Sequence, residues 1–312
     1  MSGPLDTSDD PIAAASTVET QPVVEITPGR EAVVGTMTVR RVLPRRLRRT
    51  VGAWCFADHM GPHLVTERQG LDIGPHPHIG LHTVTWLLAG EVLHRDSLGS
   101  EQVIRPGQLN LMTAGHGVAH SEEGTGSYRG EVHGVQLWVA QPESTRHGAP
   151  AFEHHAELPE LSLGDGRARL LVGEAGGVRS PARADTPIVG LDGALEAGAS
   201  RWPLRPDFEY AVIVLSGSVA IDDKAVVPGQ LAYLGEGRDD VTLLTTAPAR
   251  VLLLGGEPFD EPILMWWNYV ARTRAEIDAA ARDWNDAAPR FGEVASPLAR
   301  IPSPLPVWRH GS

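Results

Sequence analysis

The sequence TVTWLLAG at residues 83–90 has a counterpart in YAVIVLSG at residues 210–217. Each is a strand-length apolar run that ends at a glycine, which is typical of a β-strand followed by a tight turn. The tetrapeptide PGQL then follows in both places, at residues 106–109 and 228–231. Because these elements recur in the same order, we predict two copies of one β-domain.

Length and composition agree with this duplication. The chain has 312 residues, more than one core usually organises, and its 34 glycines and 25 prolines indicate many turns. We therefore predict an all-β protein of two tandem barrels with a short C-terminal helical segment. The predicted divisions are a disordered tail at 1–22, a first barrel at 23–145, a polar linker around 147–157, a second barrel at 158–256, a helical segment at 257–292 and a Pro-rich tail at 293–312.

The helical segment carries its own start signal. Thr273 and Glu276 have the spacing of a capping box, and apolar residues follow at helical intervals. A helix from about Arg274 to Asn285 is expected. Trp266 and Trp267 lie just before it, where they could form a ligand cage, but we expect them to pack against a barrel.

The charge of the chain limits its partners. With 27 basic and 39 acidic residues the net charge is −12, which repels phosphate backbones, so direct nucleic-acid binding is not expected. An arginine-rich stretch at residues 40–49 is predicted to decorate the solvent side of strands. The negative charge suits a protein partner better than DNA.

The N-terminal residues and the apolar runs predict a cytoplasmic protein. The first residues have no basic segment followed by an apolar one, so no targeting signal is recognised. Apolar runs such as 212–215 and 251–254 are far shorter than the roughly 20 residues of a membrane helix. Cys55 is the only cysteine, so no intrachain disulfide can form, and its aromatic neighbours predict a buried thiol. We expect a monomer.

Two pairs of polar residues have the spacing of metal ligands. His76 and His78 stand at positions i and i+2, so on a strand their side chains project from one face. His120 and Glu122 repeat this spacing after the Pro-Gly turn. A neighbouring strand could therefore present a second pair, which together make a site of three nitrogens and one oxygen with open positions.

The second copy of the repeat lacks these groups. Alignment on the turn glycines, Gly90 and Gly217, places Pro203 and Arg205 at the positions of the first histidine pair. Alignment on the Pro-Gly-Gln turns places Thr242 and Leu244 at the positions of the second pair. A scaffold that omits these residues in one copy does not need them to fold, so their presence in the other copy indicates chemistry.

Any one of these histidines, taken alone, could instead be structural. The chain has 13 histidines, so some clustering is expected, and a single histidine is more often a surface or hydrogen-bonded core residue than a ligand. His94 lies beside Arg95 and Asp96, which favour a turn and an ion pair, and His116 lies in a Gly-rich loop. Direct metal bonds are not expected for His94 or His116.

Several motifs of the first repeat resemble the signature of the pirin family, which belongs to the cupin superfamily. These motifs are His76-Pro77-His78-x-Gly80, Thr83-Val84-Thr85, His94-Arg95-Asp96-Ser97-x-Gly99, Pro106-Gly107, Met112-Thr113-Ala114-Gly115-x-Gly117 and His120-Ser121-Glu122. The similarity covers most of residues 33–140, including Asp58-His59-x-Gly61-Pro62, and extends more weakly through the second barrel and the helix. The resemblance implies a bicupin, two double-stranded β-helix (jelly-roll) barrels, with one mononuclear iron in the first.

The resemblance also implies the ligand set. The family's ligands correspond to His76, His78, His120 and Glu122. One position departs from the family, because pirins typically carry Glu where this chain has His82. His82 lies four residues after His78 and would share its strand face, so we expect it to line the pocket as a supporting or proton-transfer group. A bulge at Gly80 could instead turn it away.

The donor set favours some metals over others. Three histidines and a carboxylate with open positions suit an octahedral Fe, Mn, Ni or Cu centre better than the closed tetrahedral site of structural Zn, although Zn is possible. Ligand type alone does not separate Fe(II) from Mn(II), and the resemblance to pirins is what favours Fe(II). Phe56, Met60, Trp86, Met112 and Trp138 are the residues expected to shape the cavity.

The leading functional hypothesis is a metal-dependent dioxygenase of the quercetinase type, an activity found among pirin-like proteins. By this resemblance a flavonol and O2 would be the substrates, the flavonol would chelate the ion through its 3-hydroxyl and 4-carbonyl, and Glu122 would accept the hydroxyl proton. The alternative is a redox-responsive iron-binding regulator that docks on an enzyme or transcription factor. A third hypothesis is that the substrate is another small enol or acid.

Overall fold

The computed structural model describes residues 23–66, 71–163, 166–306 and 308. The tail predicted at 1–22 lies outside these residues. Within them the chain is built mainly of β-strands, with one α-helix, α1 (Arg274–Asn285), and a short 3₁₀ helix (Pro289–Phe291). Among the described residues, no helix is both long enough and apolar enough to cross a membrane.

The strands of the first half are, in chain order, β1 (Glu25–Pro28), β2 (Arg30–Val34), β3 (Met37–Leu43), β4 (Trp54–Val65), β5 (Ile73–His78), β6 (Leu81–Ala89), β7 (Val92–Asp96), β8 (Glu101–Ile104), β9 (Leu109–Thr113), β10 (Val118–Glu123), β11 (Gly130–Ala140) and β12 (Ala151–His155). Those of the second half are β13 (Glu160–Leu163), β14 (Gly166–Ala175), β15 (Val178–Arg179), β16 (Ile188–Leu195), β17 (Gly198–Pro203), β18 (Glu209–Ser216), β19 (Val219–Ile221), β20 (Lys224–Val226), β21 (Gln230–Gly235), β22 (Asp240–Thr245), β23 (Ala249–Gly256), β24 (Leu264–Trp266) and β25 (Tyr269–Ala271).

The strands form two barrels of the same topology. In the first, a large sheet in the order β12-β9-β6-β11-β4-β3-β2 faces a small sheet in the order β5-β10-β7-β8. In the second, the order β1-β21-β18-β23-β16-β14-β13 faces the order β17-β22-β19-β20. Apart from the short β15, which pairs with β14 in the second barrel, the two sets of strands correspond one to one, which confirms the predicted duplication of an all-β domain.

The two barrels exchange strands at their edges. Strand β1 falls within residues 23–145, predicted as the first barrel, but it pairs with β21 of the second. Strand β12 falls in the stretch predicted as a linker, and it pairs with β9 of the first barrel. The predicted linker is therefore in part a strand, because the edge of β9 would otherwise leave its backbone groups unpaired.

The repeated glycines at the ends of β6 and β18 are required by local geometry. Gly90 and Gly217 both have positive φ, +90° and +74°. A Cβ atom on Gly90 would lie 2.8 Å from a methyl carbon of Val132, and one on Gly217 would lie 2.7 Å from the carbonyl oxygen of Pro248. Each turn therefore needs glycine for its conformation and for its close contact with the returning strand.

The outer faces of the two large sheets pack on each other and form one core. Trp54 of β4 is fully buried there, and its indole nitrogen lies 3.2 Å from the carbonyl oxygens of both Val189 and Gly255 in the second barrel. The indole nitrogen of Trp86 donates to Asp192 Oδ2 at 2.9 Å, and Arg250 donates to the other oxygen of that carboxylate at 2.6 Å. These contacts join the barrels into one folding unit.

The C-terminal segment packs against the outside of the small sheet of the first barrel. Helix α1 spans the predicted residues, and Thr273 caps it by accepting a hydrogen bond from the Glu276 amide at 3.2 Å. Its buried side chains, such as Ile277 and Trp284, cluster with Ile79 of the region after β5. The helix is therefore tied to the strands that carry the histidine pairs.

The arginine-rich stretch differs from its predicted arrangement. Arg40 and Arg41 lie on β3, but the arginines at 45–49 lie in the connection between β3 and β4, not on a strand. Arg41 is half-buried and forms a two-point ion pair with Asp58, at 2.8 and 2.7 Å. Only part of this stretch is therefore a solvent-facing surface.

We predict that Trp54→Ala lowers the free energy of unfolding by about 3–5 kcal/mol, because it leaves a cavity between the sheets and two carbonyls without their donor. Urea unfolding should show one transition for both barrels. Leu47→Ala is the control, since Leu47 is 93% exposed and its loss should change stability little. Separate transitions for the two halves would contradict a single folding unit.

Candidate metal centre

Three of the predicted histidines lie on two paired strands of the small sheet. His76 and His78 are on β5, and His120 is on β10 directly opposite His76. Because side chains alternate along a strand and paired residues face the same side, all three imidazoles project into the barrel. All three are at least nine-tenths buried.

The ring nitrogens of these histidines converge. One nitrogen from each lies within 4.8 Å of those of the other two. Nε2 of His78 and Nε2 of His120 are 3.1 Å apart, and the ring centroids of His76 and His120 are 4.4 Å apart. This is the arrangement expected when three imidazoles share one ion.

Hydrogen bonds on the far side of each ring fix which nitrogen faces the centre. Nδ1–H of His76 donates to the carbonyl oxygen of Gly74 at 2.9 Å, and Nδ1–H of His78 donates to that of Asn268 at 3.0 Å. Since the carbonyls can only accept, Nε2 of each neutral ring carries a lone pair. This is the usual support of a metal-binding histidine.

His120 is oriented through a second histidine. Nε2–H of His94 donates to the Asp96 carboxylate at 3.1 Å, which leaves His94 Nδ1 to accept from His120 Nδ1 at 3.4 Å. Nε2 of His120 then also presents a lone pair to the centre. His94 therefore supports His120 and lies outside the three-nitrogen group, as the sequence predicts.

The electrostatics of the site favour a cation. Burial lowers the pKa of His76 to about 4 and lowers the pKa values of His78 and His120 well below the ordinary range, so the rings are neutral near pH 7. Two lone pairs then face each other across 3.1 Å, which is repulsive unless a positive ion lies between them. The residues present therefore fit a metal ion.

Glu122 lies beside the histidines but is not part of the three-nitrogen group. It follows a bulge in the pairing of β10 with β5, between His120 and Glu122, and its side chain is buried. Burial raises the pKa of Glu122 to about 7, although the nearby hydroxyl of Thr85 opposes the shift. A nearby cation would favour the ionised carboxylate.

These groups open on a cavity of about 470 Å³ inside the first barrel. Phe56 and Trp138 form one wall as a stacked pair with ring centroids 4.0 Å apart, and Met60 also lines the cavity. The expectation for Trp86 and Met112 is wrong. Trp86 points to the other barrel, where it donates to Asp192, and Met112 packs in the apolar cluster around Phe56 and Trp138 but does not reach the cavity lining.

The C-terminal segment supplies part of the wall, and for Trp267 this corrects the expectation that both tryptophans only pack against a barrel. Trp267 and Asn268 form the turn between β24 and β25, and both line the cavity together with Met265. The indole nitrogen of Trp266 instead donates to the carbonyl oxygen of Pro304 at 3.1 Å. Of the two tryptophans, Trp266 is the one that has a packing role without a place in the cavity wall. Ile301 of the Pro-rich tail also lines the cavity, and its amide donates to the Pro75 carbonyl at 2.9 Å.

His82 does not line this cavity, which corrects its predicted role. Gly80 has a φ of +66° and interrupts the chain between β5 and β6, so the alternation counted from His78 does not continue. His82 therefore starts a strand of the large sheet. Its ring lies between Thr113 Oγ1, 2.9 Å from Nδ1, and Asp185 Oδ2, 3.0 Å from Nε2.

Asp185 belongs to the segment between β15 and β16, so this buried contact fastens the second half of the chain to the first barrel. Its carboxylate also accepts from Thr145 at 2.6 Å and from Arg183 at 2.7 Å. Burial would raise the pKa of Asp185, but the hydrogen bonds from His82, Arg183 and Thr145 together hold it well below the ordinary value. The pair is therefore structural.

His116 also lies away from the histidine group. It is exposed, and its Nδ1 donates to the carbonyl oxygen of Gly148 at 3.0 Å.

Strand pairing corrects the alignment of the two repeats. Leu93 of β7 faces Glu123, and its counterpart Ala220 of β19 faces Leu244. Leu244 thus corresponds to Glu123, one position away from the alignment made on the sequence. The shift arises because the second repeat has one residue fewer than the first between its Pro-Gly turn and this position.

The corrected equivalents are all apolar and face the interior. The residues of the second barrel that correspond to His76, His78, His120 and Glu122 are Trp202, Leu204, Val241 and Leu243. These four pack in the core of the second barrel. The second barrel therefore lacks all four candidate ligands, as the sequence alignment indicated. The contrast between the barrels is greater than that alignment showed, because the residues at these positions are apolar core residues.

Comparison with known proteins agrees with this fold. Residues 36–139 match the family model described as Pirin, and residues 190–292 match the model described as Pirin C-terminal cupin domain. The chain belongs to the pirin family. Its two barrels are therefore cupin domains.

Individual pirin relatives cover most of the chain. A Pseudomonas aeruginosa protein named "Putative quercetin 2,3-dioxygenase" is 46% identical over 277 residues, 88% of each chain. A pirin-like protein of Caulobacter vibrioides is 39% identical over 82% of this chain and 90% of its own. The crystal structure of quercetin 2,3-dioxygenase from Acinetobacter baumannii superposes with a TM-score of 0.88 at 40% identity, covering 93% of this chain and 97% of that one.

We predict that Asp185→Asn lowers the free energy of unfolding by about 3 kcal/mol near pH 7, because it breaks a buried charged contact. The folded-state pKa of Asp185 is depressed, so its contribution is complete above the ordinary value of 3.8 and declines as the pH falls below it. The difference between wild type and variant, measured by urea unfolding, should therefore shrink in acid.

The control is Asp207→Asn, which removes an exposed carboxylate paired with Arg205. It should change stability little, because solvent screens an exposed ion pair. Equal effects of the two substitutions would contradict the fastening role of Asp185.

Proposed function

We propose that this pirin is a metal-dependent dioxygenase of the quercetin 2,3-dioxygenase type, with His76, His78, His120 and Glu122 as the ligands of one divalent ion. The observation that carries the proposal is the set of three inward-facing Nε2 lone pairs, each fixed by a hydrogen bond behind the ring. The related proteins named for quercetin 2,3-dioxygenase support the same reaction class.

The donor set limits the choice of ion. Imidazole with one carboxylate and open positions suits Fe, Mn, Ni or Cu, and Zn less well, while Fe(II) is the ion that the pirin family favours. When bound, such an ion would chelate two substrate oxygens, acidify a substrate hydroxyl and mediate electron transfer to dioxygen. The residues of the chain provide position, shape and proton transfer.

The cavity wall suits a flat aromatic substrate. Phe56 and Trp138 are stacked with an interplanar angle of 14°, and the edge of His78 meets Trp138 with centroids 5.2 Å apart. A flavonol ring held along this wall would therefore lie beside the histidine group. The buried wall also excludes water from the reacting atoms.

Glu122 is placed to accept the proton of the substrate hydroxyl. It lies in the cavity next to the histidines. With an ion bound beside it the carboxylate would be ionised, which is the form that accepts a proton.

We predict that anaerobic reconstitution loads one Fe(II) per chain and that His120→Ala weakens metal affinity by more than about 100-fold, since it removes a direct ligand. His94→Ala should weaken it by about 10–100-fold, the range typical of groups that orient a ligand. Metal content after dialysis against graded chelator measures both effects. His116→Ala is the control, and wild-type occupancy in His120→Ala would refute the ligand set.

We predict that reconstituted protein consumes oxygen with quercetin and that Glu122→Gln lowers the turnover rate by about 10²–10⁴-fold, the usual contribution of a positioned base. His76→Ala should abolish turnover through loss of the metal. An oxygen electrode with chelated controls measures the rate, because free iron oxidises quercetin. Wild-type turnover in Glu122→Gln would exclude the proposed base.

A further inference from the structure

One row of polar residues crosses the inner face of the large sheet of the first barrel. Each member is paired in register with the next, so all of them face the same side. We call this the polar row; it consists of Arg41 on β3, Asp58 on β4, Gln136 on β11, Thr85 on β6, Asn110 on β9 and His154 on β12.

The members of the polar row are hydrogen-bonded to one another. Arg41 donates to both oxygens of Asp58, at 2.8 and 2.7 Å, and Thr85 Oγ1 donates to Gln136 Oε1 at 2.9 Å. At the far end His154 donates to Asn110 Oδ1 at 2.7 Å. The row is therefore held in a fixed arrangement by contacts within the barrel.

The second barrel has no polar residue at any of these positions. Its strands are paired in the same register, and the corresponding row consists of Leu170, Leu191, Leu253, Val212, Ala232 and Ile26. All of them belong to or pack against the second core. The barrel therefore closes and packs without a polar row, so the row in the first barrel is not required by the fold.

Part of the polar row opens on the metal-site cavity. Arg41, Asp58 and Gln136 all line it, and the Arg41 guanidinium lies 4.5 Å from the centre of the Phe56 ring. Asp58 engages Nε and Nη2 of Arg41, which leaves Nη1 as a donor. Within the described ranges, the amide nitrogen of Gln136 has no hydrogen-bond partner while its oxygen is held by Thr85.

A second cation stands at the same edge of the cavity. Arg30 of β2 is paired in register with Arg41 and lines the cavity, and no carboxylate of the described residues forms an ion pair with it. Two guanidinium groups therefore stand beside one carboxylate, Asp58, at this edge, while Glu122, the other carboxylate of the lining, lies with the histidines. The positive charge is therefore in excess only at the edge that holds Arg30 and Arg41, and the four charged groups of the lining balance as a whole.

We propose that Arg41 and Gln136 are specificity-determining residues that bind an acidic group of the substrate, with Arg30 adding attraction at the cavity edge. The preferred substrate is then a planar aromatic compound with metal-chelating oxygens at one end and a carboxylate or phenolate at the other. Asp58 and Thr85 are positioning residues that orient Arg41 and Gln136. This inference rests on the proposed function, because it assigns a substrate class to the same cavity.

The duplicate barrel supplies the test variant. Arg41→Leu combined with Asp58→Leu copies Leu170 and Leu191, and replacement of a buried ion pair by apolar residues is often neutral for stability. Gln136→Leu copies Leu253 and leaves the ion pair intact. The control is Arg201→Leu with Asp240→Leu, which removes an Arg–Asp pair from the small sheet of the second barrel, far from the cavity lining.

The probes are 3-hydroxyflavone and its 4′-carboxylate, which share the chelating end and differ in charge at the other. Binding to Zn(II)-loaded protein is measured by titration calorimetry without oxygen, so that no turnover is needed. Wild type and control should bind the carboxylate about tenfold more tightly than the neutral probe. A factor of this size is what one hydrogen bond to a charged group contributes to affinity. The Arg41/Asp58 double variant should lose this preference, and Gln136→Leu should reduce it.

Equal affinity of wild type for the two probes would overturn the inference, as would an unchanged preference in both cavity variants. If the double variant fails to fold, as shown by its unfolding transition, Gln136→Leu still decides the result. Failure of the proposed function is distinguishable, because it would appear as absent oxygen consumption in a protein that keeps the charge preference. Loss of preference with intact oxygen consumption would refute only the substrate class.

Discussion

The site depends on the register between β5 and β10. This pairing sets His120 opposite His76, and the alternation of side chains then points His78 into the same space. A slip of β10 by one residue would turn His120 out of the barrel and put an outward-facing neighbour in its place, which would break up the group of three imidazoles. The remaining contacts keep this arrangement: helix α1 and the β24–β25 turn pack against the small sheet, and Asn268 of that turn fixes the ring of His78.

The burial of so many polar groups has an energetic cost that the duplicate barrel avoids. Where the first barrel encloses histidines and the polar row, the second encloses tryptophan, leucine and valine, which are stabilised by transfer from water without needing partners. Each buried histidine of the metal centre has a partner on its outer side, and Arg41 is neutralised in part by Asp58. The first barrel therefore gives up some core stability for a polar interior, while the second contributes packing around Trp54 and its neighbours.

Much of the fold follows from local patterns. The repeated strand and Pro-Gly turn, the capping box at Thr273 and the i, i+2 spacing of the ligand candidates each depend on residues close in sequence, and each is found in the structure. Errors arose where an interruption broke a periodicity. Gly80 ended the alternation that would have placed His82 in the cavity, and a single-residue difference between the repeats shifted their alignment. The cavity residues Ile301 and Arg41 left no local signal, because they reach the site from the C-terminal segment and from another strand.

The sequence by itself determined the duplication, the all-β class, the helix and the candidate histidines. Each of these follows from short-range sequence patterns or from differences between the two repeats. The tertiary structure alone decided which nitrogen of each ring faces the centre, where His82 points and which residues form the polar row. These properties depend on partners that are distant in the chain: Asn268 for His78, Asp185 for His82 and five neighbouring strands for Arg41. Strand pairing brings such residues together, and no local pattern specifies it.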